Sequence, residues 1–372
     1  MFMKNFTILL LVLAVSACQN KKTDKEENEA YFFYIGTYTD TDSEGIYKAE
    51  MDSTGHMTML GLQAATVNPS FLAFANNGKT LLAVNEINTV DGKGTVESYL
   101  IGDSLKLISR RSSGGAHPCF VGANKKGIVL TANYTSGNNG LLKIDKDSKL
   151  STLLDVQQHI GSGANKVRQD KAHAHSIWFV PNSDLLIAVD LGTNELLVSE
   201  IDSVNNKFNL KDKLEMEDGA GPRHLAFHPN GNFFYVINEL NNTISTVQIA
   251  ADKTLSLLGS VSTLPKDFHG ESFPADIHVS SDGKFLYASN RGHNSIAIYQ
   301  IQETGMLSAI GFESTRGDHP RNFSLSPDEK FLLVANQNTN NIVCFKRDEK
   351  SGLLSFVEEL KVAKPVCILF QK

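Results

Sequence analysis

Charged and histidine side chains stand at two recurring places in this 372-residue sequence, each next to a predicted strand. A repeat that served structure alone would be expected to carry similar small residues at the same place in every copy. Here the repeated places carry one His, three Arg and two Glu, which are Glu86, His175, Arg223, Glu239, Arg291 and Arg321. This departure from the repeat favours a polar functional site, and the alternative is a solvated ring of ion pairs.

These places form two columns when the copies of the repeat are aligned. The first column lies just after a proline or its counterpart and reads Ser70, Cys119, His175, Arg223, Ala275, Arg321 and Val366. The second column lies just after a strand-ending Asn or Asp and reads Glu86, Tyr134, Leu191, Glu239, Arg291 and Gln337. The start of one strand and the end of the next lie side by side in an antiparallel hairpin, so both columns are expected at one face.

Histidines also precede the first column in three copies of the repeat, at His117, His173 and His319. Their shared position predicts that they cap the strand that follows. His173 and His175 form a His-x-His pair on one side of a strand, but no fixed third ligand stands nearby, and we predict no metal site. Four side chains at this face are predicted to contact a bound substrate, namely Glu86, His173, Arg321 and Gln337.

The elements that position the columns come from one pattern that recurs every 45 to 56 residues. Each copy holds a proline, an alternating apolar strand, a tight turn, a second strand ending in Asn, and a third strand. Period-two alternation is clear in 285–288 and 296–299, and Asn230-Gly231 and Asp282-Gly283 supply hairpin turns. This spacing is typical of the blades of a β-propeller, whose first strands line a central channel.

The two ends of the sequence complete a ring. Residues 365–370 repeat only the opening strand of a copy, whereas 32–38 and 45–49 resemble its later strands. Joining the termini in one sheet removes the exposed edges that an open array would leave. The sequence therefore predicts an all-β fold, a seven-bladed β-propeller of four-stranded antiparallel blades that closes by pairing its N- and C-terminal strands.

The N-terminal residues predict targeting rather than folded structure. Lys4 precedes an apolar run at 8–15, and small residues stand before Cys18, a pattern that resembles a bacterial lipoprotein signal. An ordinary cleaved signal is the alternative. The predicted organisation is a signal peptide at 1–17, a lipidated Cys18 with a polar tether at 18–30, and a folded domain at 31–372. This anchor would place the protein in the cell envelope, on the periplasmic side or at the outer membrane.

Composition and charge limit the partners of the protein. A formal net charge of −6 gives nucleic acid or an anionic membrane little to bind. We predict a monomer without a cofactor that acts on a small molecule and touches the membrane only through its lipid. Cys119, Cys344 and Cys367 show no Cys-x-x-Cys spacing and are predicted to be buried small side chains rather than a disulfide framework.

Several longer motifs resemble one protein family. They are Gly-Pro-Arg-His-Leu-Ala-Phe-His-Pro at 221–229, the stretches 275–280 and 290–296, and Pro-Arg-Asn-Phe at 320–323. These motifs resemble the seven-bladed lactonases, the family of the propeller-type 6-phosphogluconolactonases, with the fungal carboxymuconate cyclases as relatives. The resemblance extends over 31–370 and is more specific for the family than for the substrate.

The resemblance implies hydrolysis of a sugar lactone such as 6-phospho-D-glucono-1,5-lactone, with water attacking the ring carbonyl. By motif position it implies four catalytic residues, His175, Arg223, Glu239 and Arg291, which coincide with the two columns. His175 or Glu239 would take the proton of the water, and Arg223 or Arg291 would hold the substrate anion and the developing oxyanion. The sequence has no Gly-x-Ser-x-Gly elbow, which disfavours a serine esterase.

Two other functions stay open on the sequence. A non-catalytic envelope propeller that binds carbohydrate or protein fits the predicted lipid anchor and the use of propellers as interaction platforms. A carboxymuconate-type lactone cyclase would use the same pair of arginines. The predicted export also conflicts with a phosphorylated sugar lactone, which is expected in the cytosol.

Overall fold

The computed structural model describes Met1, Phe2 and residues 30–371. Within this part of the chain, 28 strands form seven sheets of four strands each, which confirms the predicted seven-bladed β-propeller. The first strand begins at Tyr31. The predicted lipidation site Cys18 lies outside the described residues, as does nearly all of the predicted signal peptide and tether. No helix of the described chain is long and apolar enough to cross a membrane.

The first four blades are built from antiparallel strands. Blade 1 contains β1 (Tyr31–Thr37), β2 (Gly45–Met51) and β3 (Met57–Ala65). Blade 2 contains β4 (Leu72–Ala75), a 3₁₀ turn at Asn76–Gly78, β5 (Thr80–Val90), β6 (Lys93–Ile101) and β7 (Leu105–Ser112). Blade 3 contains β8 (Pro118–Ala123), β9 (Ile128–Asn133), β10 (Asn138–Lys143) and β11 (Asp155–Gln158). Blade 4 contains β12 (Ala174–Phe179), β13 (Leu185–Asp190), β14 (Glu195–Asp202) and β15 (Lys207–Glu215).

The last three blades repeat this order, and a final strand returns to blade 1. Blade 5 contains β16 (Pro222–Phe227), β17 (Phe233–Asn238), β18 (Thr243–Ile249) and β19 (Leu255–Ser262). Blade 6 contains β20 (Phe273–Val279), β21 (Phe285–Arg291), β22 (Ser295–Ile301) and β23 (Leu307–Ser314). Blade 7 contains β24 (Pro320–Leu325), β25 (Phe331–Asn336), β26 (Asn341–Arg347) and β27 (Leu354–Lys361). The returning strand is β28 (Pro365–Phe370).

The two ends of the chain close the ring in blade 1. β28 pairs antiparallel with β1, so that Phe33 lies opposite Phe370 and Ile35 lies opposite Ile368. β28 thereby takes the innermost place that the first strand of the chain occupies in every other blade. This pairing confirms the predicted closure.

A β-bulge near the start of the innermost strand sets the direction of the first-column side chain. In blade 5, Pro222 lies opposite Asn238 and His224 lies opposite Ile237, so Arg223 is the extra residue between the two pairs. Arg223 and His224 both contact the neighbouring blade 6, which places two successive side chains at the centre of the ring. The same shift follows the equivalent residues Pro118, Ala174 and Pro320.

A recurring backbone hydrogen bond holds the two columns side by side. In six blades, the N–H of the second-column residue, or of Tyr38 at the same place in blade 1, donates to a carbonyl at the start of the innermost strand. This carbonyl belongs to the residue directly before the proline or its counterpart. In blade 5 this bond joins Glu239 N to Gly221 O at 2.7 Å. The accepting carbonyls belong to Asn68, His117, His173, Gly221, His319 and Lys364. These bonds use backbone carbonyls and do not depend on the histidine side chains, so the capping role of His117, His173 and His319 stays a prediction.

The apolar core of the propeller lies between neighbouring blades. Residues 30–371 contain seven clusters of buried apolar side chains, one at each contact between adjacent blades. The contact that joins blade 7 to blade 1 contains Phe33, Phe331, Ile368 and Phe370, of which none is more than 5% exposed. Each blade is thus stabilised by both of its neighbours.

The described cysteines belong to this core. Cys119, Cys344 and Cys367 are buried free thiols, as the sequence predicts. Burial raises the pKa of each thiol to about 12. All three are therefore protonated at neutral pH, and none is an activated nucleophile.

Candidate functional site

Both predicted columns meet at one opening of the ring, which we call the mouth. Arg223 is the second residue of β16, Glu239 directly follows β17, and Arg291 ends β21. His175 and Arg321 occupy the place of Arg223 in β12 and β24. Antiparallel pairing brings the start of each inner strand and the end of the next strand to this same opening.

Glu239 lies among three arginines at the mouth. The Nη2 atom of Arg168 lies 2.6 Å from Glu239 Oε1. The Nη2 atom of Arg291 and the Nε atom of Arg223 lie 2.6 Å and 3.1 Å from Glu239 Oε2. One carboxylate therefore bridges two strand arginines and one loop arginine through charge-assisted hydrogen bonds.

The arginines overcome the effect of burial on Glu239. Burial disfavours the charged carboxylate, but Arg291, Arg223 and Arg168 together hold the pKa of Glu239 well below its usual range. Burial and the nearby Arg291 and Arg321 lower the pKa of Arg223 to about 10. Both groups are charged at neutral pH. Since Arg223 and Glu239 are only 2% and 4% exposed, this cluster is not a solvated ring of ion pairs.

Backbone carbonyls also hold two of the three arginines in place. Arg291 Nε donates to Phe273 O at 2.9 Å, and Arg291 Nη2 donates to Pro274 O at 3.3 Å. Arg223 Nη1 donates to Ala275 O. Moving either guanidinium group would leave buried carbonyls without donors, so both groups are firmly positioned.

Arg168 is a site residue that the sequence motifs do not predict. It lies in the loop 159–173 between β11 and β12, and its side chain is 36% exposed. The buried Gln169 fixes this loop, because its side chain donates to Leu191 O at 2.8 Å and accepts from Asn165 N at 3.0 Å. The longest interval between repeats, 56 residues, contains this loop and is the sequence signal that could have marked it.

His175 lies in a buried setting of rings and cations. Its imidazole is edge-on to the rings of Tyr134 and His224, at centroid distances of 5.7 Å and 5.2 Å. Its Nδ1 atom lies 3.8 Å from the sulfur of Cys119. Burial, assisted by the charge of Arg223, holds the pKa of His175 well below its usual range. The imidazole is therefore neutral, and one ring nitrogen carries a lone pair that can accept a proton.

Glu86 and Arg321 form a looser charge pair at the mouth. Arg321 Nη2 lies 3.9 Å from Glu86 Oε2, and each side chain is 17% exposed. Tyr38, which follows β1, donates its hydroxyl to the same Glu86 oxygen at 2.8 Å and lies under the Arg321 guanidinium at 5.4 Å. Tyr38 stands at the second-column place of blade 1, where its N–H donates to Lys364 O at 3.1 Å. The motif did not mark it, because the strand before it ends in Thr37 rather than in Asn or Asp.

The other two predicted substrate contacts, His173 and Gln337, also lie near the mouth. The ring of His173 stacks on Tyr134 at 4.6 Å, and its Nε2 atom lies 3.3 Å from Asp170. The Oε1 atom of Gln337 is buried and has no hydrogen-bond partner among the described residues. In the same part of the chain, no group of three or more His, Cys, Asp or Glu side chains is arranged to hold a metal ion.

A chain of buried hydrogen bonds lies beneath the mouth. His224 Nδ1 lies 2.9 Å from Asp276 Oδ1, and Asn322 Nδ2 donates to Asp276 Oδ2 at 2.6 Å. The chain continues to the closing strand, where Ile368 N donates to Asn322 Oδ1 at 2.7 Å. A carboxylate only accepts, so His224 donates from Nδ1, and its Nε2 atom faces Arg223 Nη1 at 3.4 Å.

The two columns do not predict this chain of hydrogen bonds, although the sequence contains a signal for it. The position one residue after the first column reads Phe71, Phe120, Ser176, His224, Asp276, Asn322 and Cys367. Four adjacent blades therefore contribute polar residues at that position, and the last three of these residues form the chain. The bulge that turns this second residue inward is a property of the backbone that the residue pattern does not reveal.

Side chains nearly fill the channel below the mouth. A cavity lined by Ser70, Cys119, Arg223, Arg321 and Val366 leaves about 10 Å³ for water molecules. One water molecule needs about 10–15 Å³ on this measure. A ligand the size of a sugar must therefore bind in the mouth, above these side chains.

The mouth carries more positive than negative charge. Its guanidinium groups belong to Arg168, Arg223, Arg291 and Arg321, and its carboxylates belong to Glu86, Glu239 and Asp170. The chain as a whole has a formal net charge of −6, so the mouth stands out as a place that attracts anions. The arginines can bind an anion and stabilise an oxyanion. The neutral imidazole of His175 can accept a proton.

Several known proteins are similar to this chain over most of its length. The family model described as lactonase, 7-bladed beta-propeller, matches residues 32–370. A 6-phosphogluconolactonase of Bacillus subtilis is 35% identical over 355 residues, which cover 91% of this chain and 98% of that protein. A 6-phosphogluconolactonase of Formosa agariphila is 36% identical, with coverage of 86% and 94%. The structure of a periplasmic gluconolactonase of Pseudomonas aeruginosa is 30% identical with a TM-score of 0.87, covering 92% of this chain and 99% of that one.

Proposed function

The chain belongs to the lactonase family of seven-bladed β-propellers, and we propose that it hydrolyses a sugar lactone at its mouth. Relatives named 6-phosphogluconolactonase and gluconolactonase support lactone hydrolysis as the reaction. The substrate that we place first is 6-phospho-D-glucono-1,5-lactone, which water opens to 6-phosphogluconate.

The observation that carries the proposal is the surplus of guanidinium groups beside a neutral imidazole. A phosphate ester is anionic before the reaction, and the lactone carbonyl becomes anionic during it. Guanidinium groups bind both kinds of oxygen through charge-assisted hydrogen bonds. Arg321 is suited to this role, because its carboxylate neighbour Glu86 lies 3.9 Å away and leaves it loosely held.

His175 is the proposed general base. Its low pKa keeps the imidazole neutral, so its lone pair is available at physiological pH. Glu239 is less suited to this role, because both of its oxygens accept hydrogen bonds from arginines. A base with a low pKa is weak, but general base catalysis contributes roughly 10²- to 10⁴-fold in rate, and lactones already open slowly in water.

The proposed reaction adds one water molecule across the ring ester. The water oxygen bonds to the carbonyl carbon while His175 takes one proton, and Arg223 and Arg321 stabilise the resulting oxyanion. The bond between this carbon and the ring oxygen then breaks, and the proton on His175 passes to the departing ring oxygen. The product is a hydroxy acid, whose carboxyl group releases its proton to solvent.

Hydrolysis of the phosphorylated lactone by the purified protein tests the proposal. We expect His175→Gln to lower kcat/KM by roughly 10²- to 10⁴-fold, the usual contribution of a general base. His56→Gln is the matched control, because the side chain of His56 is 64% exposed and lies outside the mouth. A wild-type rate equal to the rate in buffer would overturn the proposal.

Unphosphorylated D-glucono-1,5-lactone is a second candidate substrate. It is supported by the predicted export signal and by the periplasmic gluconolactonase among the relatives. The oxyanion and the base would be the same, and only the contact to the phosphate would be absent. A kcat/KM higher for this lactone than for the phosphorylated one would establish it as the preferred substrate, and the reverse order would exclude that preference.

We also propose that the protein is located in the cell envelope. Small residues before Cys18 support lipidation of its sulfur, which would hold the propeller at a membrane surface. Labelled fatty acid should enter the wild-type protein and not the Cys18→Ala variant. Equal labelling of the two proteins, or none in either, would contradict the anchor.

A further inference from the structure

Arg168 differs from the other two partners of Glu239 in how it is held. Arg223 and Arg291 project from strands and donate to backbone carbonyls of blade 6 as well as to Glu239. Arg168 projects from a loop, and its guanidinium group donates to Glu239 and, at 3.2 Å, to the hydroxyl of Tyr134. It is also the most exposed of the three, at 36% against 2% and 8%. Arg168 is therefore the partner that can leave Glu239 without uncovering buried carbonyls.

The two oxygens of Glu239 are divided between these partners. Both strand arginines bind Oε2, whereas Arg168 binds Oε1 at 2.6 Å. Removal of Arg168 would free Oε1 and leave the ion pairs at Oε2 intact. The freed oxygen would remain part of an ionised carboxylate, and such an oxygen is a strong hydrogen-bond acceptor.

The loop that carries Arg168 is anchored by one buried residue and is otherwise largely exposed. Gln169 is fully buried and donates to Leu191 O and Asn194 Oδ1, so the backbone directly after Arg168 is fixed. Lys166 is exposed in the same loop. The Arg168 guanidinium can therefore change partners by rotation of its own side chain, with the loop backbone in place.

We propose that Arg168 is a removable cap on Glu239 that selects phosphorylated substrates. The phosphate of the lactone takes the Arg168 guanidinium from Oε1, and the freed Oε1 accepts a hydrogen bond from a sugar hydroxyl. The carbonyl end of the lactone contacts His175, Arg223 and Arg321, the residues that act on it in the proposed reaction. This assignment rests on the proposed lactonase function and adds a residue that determines its specificity.

The two kinds of lactone differ in the free energy needed to displace Arg168 from Glu239. When a phosphorylated lactone binds, its phosphate replaces the Glu239 carboxylate as the anionic partner of Arg168. The exchange therefore costs little free energy. A neutral lactone must either leave Oε1 covered or displace Arg168 without offering it a new anion. Loss of Arg168 should therefore harm the phosphorylated substrate more than the neutral one.

The experiment compares Arg168→Gln with Lys166→Gln, which removes the same charge from the same loop without touching Glu239. We expect Arg168→Gln to lower kcat/KM for the phosphorylated lactone by about 10- to 100-fold, the loss expected for a hydrogen bond between charged groups. For D-glucono-1,5-lactone the loss should be at least about tenfold smaller, so that the ratio of the two kcat/KM values falls. Lys166→Gln should change neither value by more than about threefold.

Binding of inorganic phosphate, measured by calorimetry, gives a readout that does not depend on turnover. Phosphate should bind the wild-type protein and Lys166→Gln, and its Kd should rise at least about tenfold in Arg168→Gln. Equal losses for both lactones, no loss for either, or a phosphate Kd that is unchanged would overturn the proposal. If wild-type protein binds phosphate through Arg168 but opens neither lactone, the lactonase function fails and the anion contact stands.

Discussion

Glu239 serves the fold as well as the site. Arg223 and Arg291 are 2% and 7% exposed, and two buried guanidinium groups so close together repel each other and lose hydration. Their ion pairs with Glu239, at 3.1 Å and 2.6 Å, offset this loss. A carboxylate that holds two buried cations in place is needed before any substrate arrives.

Replacing Glu239 tests this structural role. We expect Glu239→Gln to lower the free energy of unfolding at pH 7 by about 3–5 kcal/mol, because it leaves buried charges without a partner. Glu86→Gln is the control, since Glu86 lies 3.9 Å from Arg321 and is more exposed, and its loss should be smaller. Urea unfolding measures both values.

The effect of Glu239 on stability should depend on pH in a defined direction. The folded protein holds the pKa of this carboxyl well below its usual range, so the stabilisation is complete above the unfolded pKa of about 4.3. It should fade as the pH drops from there toward the folded pKa. The gap between wild type and Glu239→Gln should thus be constant from pH 7 to about 5.5 and narrow below about 4. A gap that widens in acid, or an equal loss in Glu86→Gln, would contradict this account.

Site residues were predictable from the sequence where they stand at a fixed position in the repeat. His175, Arg223 and Glu239 could be found from sequence because each stands at a fixed offset from a proline or a strand-ending Asn. Arg168 could not, since it lies in a connection whose length and path no repeat constrains. Tyr38 has a place in the repeat, but the strand before it ends in Thr37 and lacks the Asn or Asp that marks this place elsewhere. Long-range contacts such as that between Arg168 and Glu239, 71 positions apart, depend on the assembled ring.

At the level of single elements, the bulge in the inner strand decides which side chains reach the ring axis. A regular strand would direct alternate residues to opposite faces, so Arg223 and His224 would diverge. The bulge instead directs both to the centre, and Asp276 and Asn322 join His224 from the next two blades. The strands and their turns were predictable from period-two alternation, but the extra unpaired residue was not, because it leaves that alternation almost unchanged.

Asp276→Asn tests the hydrogen-bonded chain that these elements form. Asp276 is 4% exposed and accepts from His224 and Asn322, and an amide in its place loses the charge on which both bonds depend. We expect a loss of about 1.5–3 kcal/mol in the free energy of unfolding, the range for a hydrogen bond to a charged group. Chemical denaturation of the purified variant measures it.

Asp282→Asn provides the control in the same blade. The side chain of Asp282 is 36% exposed in a hairpin turn, so its loss should stay below about 1 kcal/mol. Equal destabilisation by the two variants would show that the buried chain contributes nothing specific. A selective loss at Asp276 would show that three inner strands are linked by side chains as well as by apolar packing.

At the scale of the whole molecule, the ring has no terminal blade that could unfold independently. The seven apolar clusters of the described chain each join two blades, so every blade lies between two contacts. Blade 1 is completed by a strand from the far end of the sequence. The mouth depends on this closure, because Ile368 of the closing strand donates to Asn322 in the chain that leads to Arg223.

Deletion of residues 365–372 should therefore destabilise the entire propeller. The strand buries Val366, Cys367, Ile368 and Phe370, none more than 5% exposed, and a large buried apolar side chain contributes about 1.5–3 kcal/mol. Their sum approaches the whole stability of an ordinary domain, about 5–15 kcal/mol. Deletion of 371–372 alone leaves β28 intact and should keep the melting temperature within a few degrees. Melting followed by circular dichroism distinguishes the two, and an unchanged transition after the longer deletion would mean that the ring is stable without its closing strand.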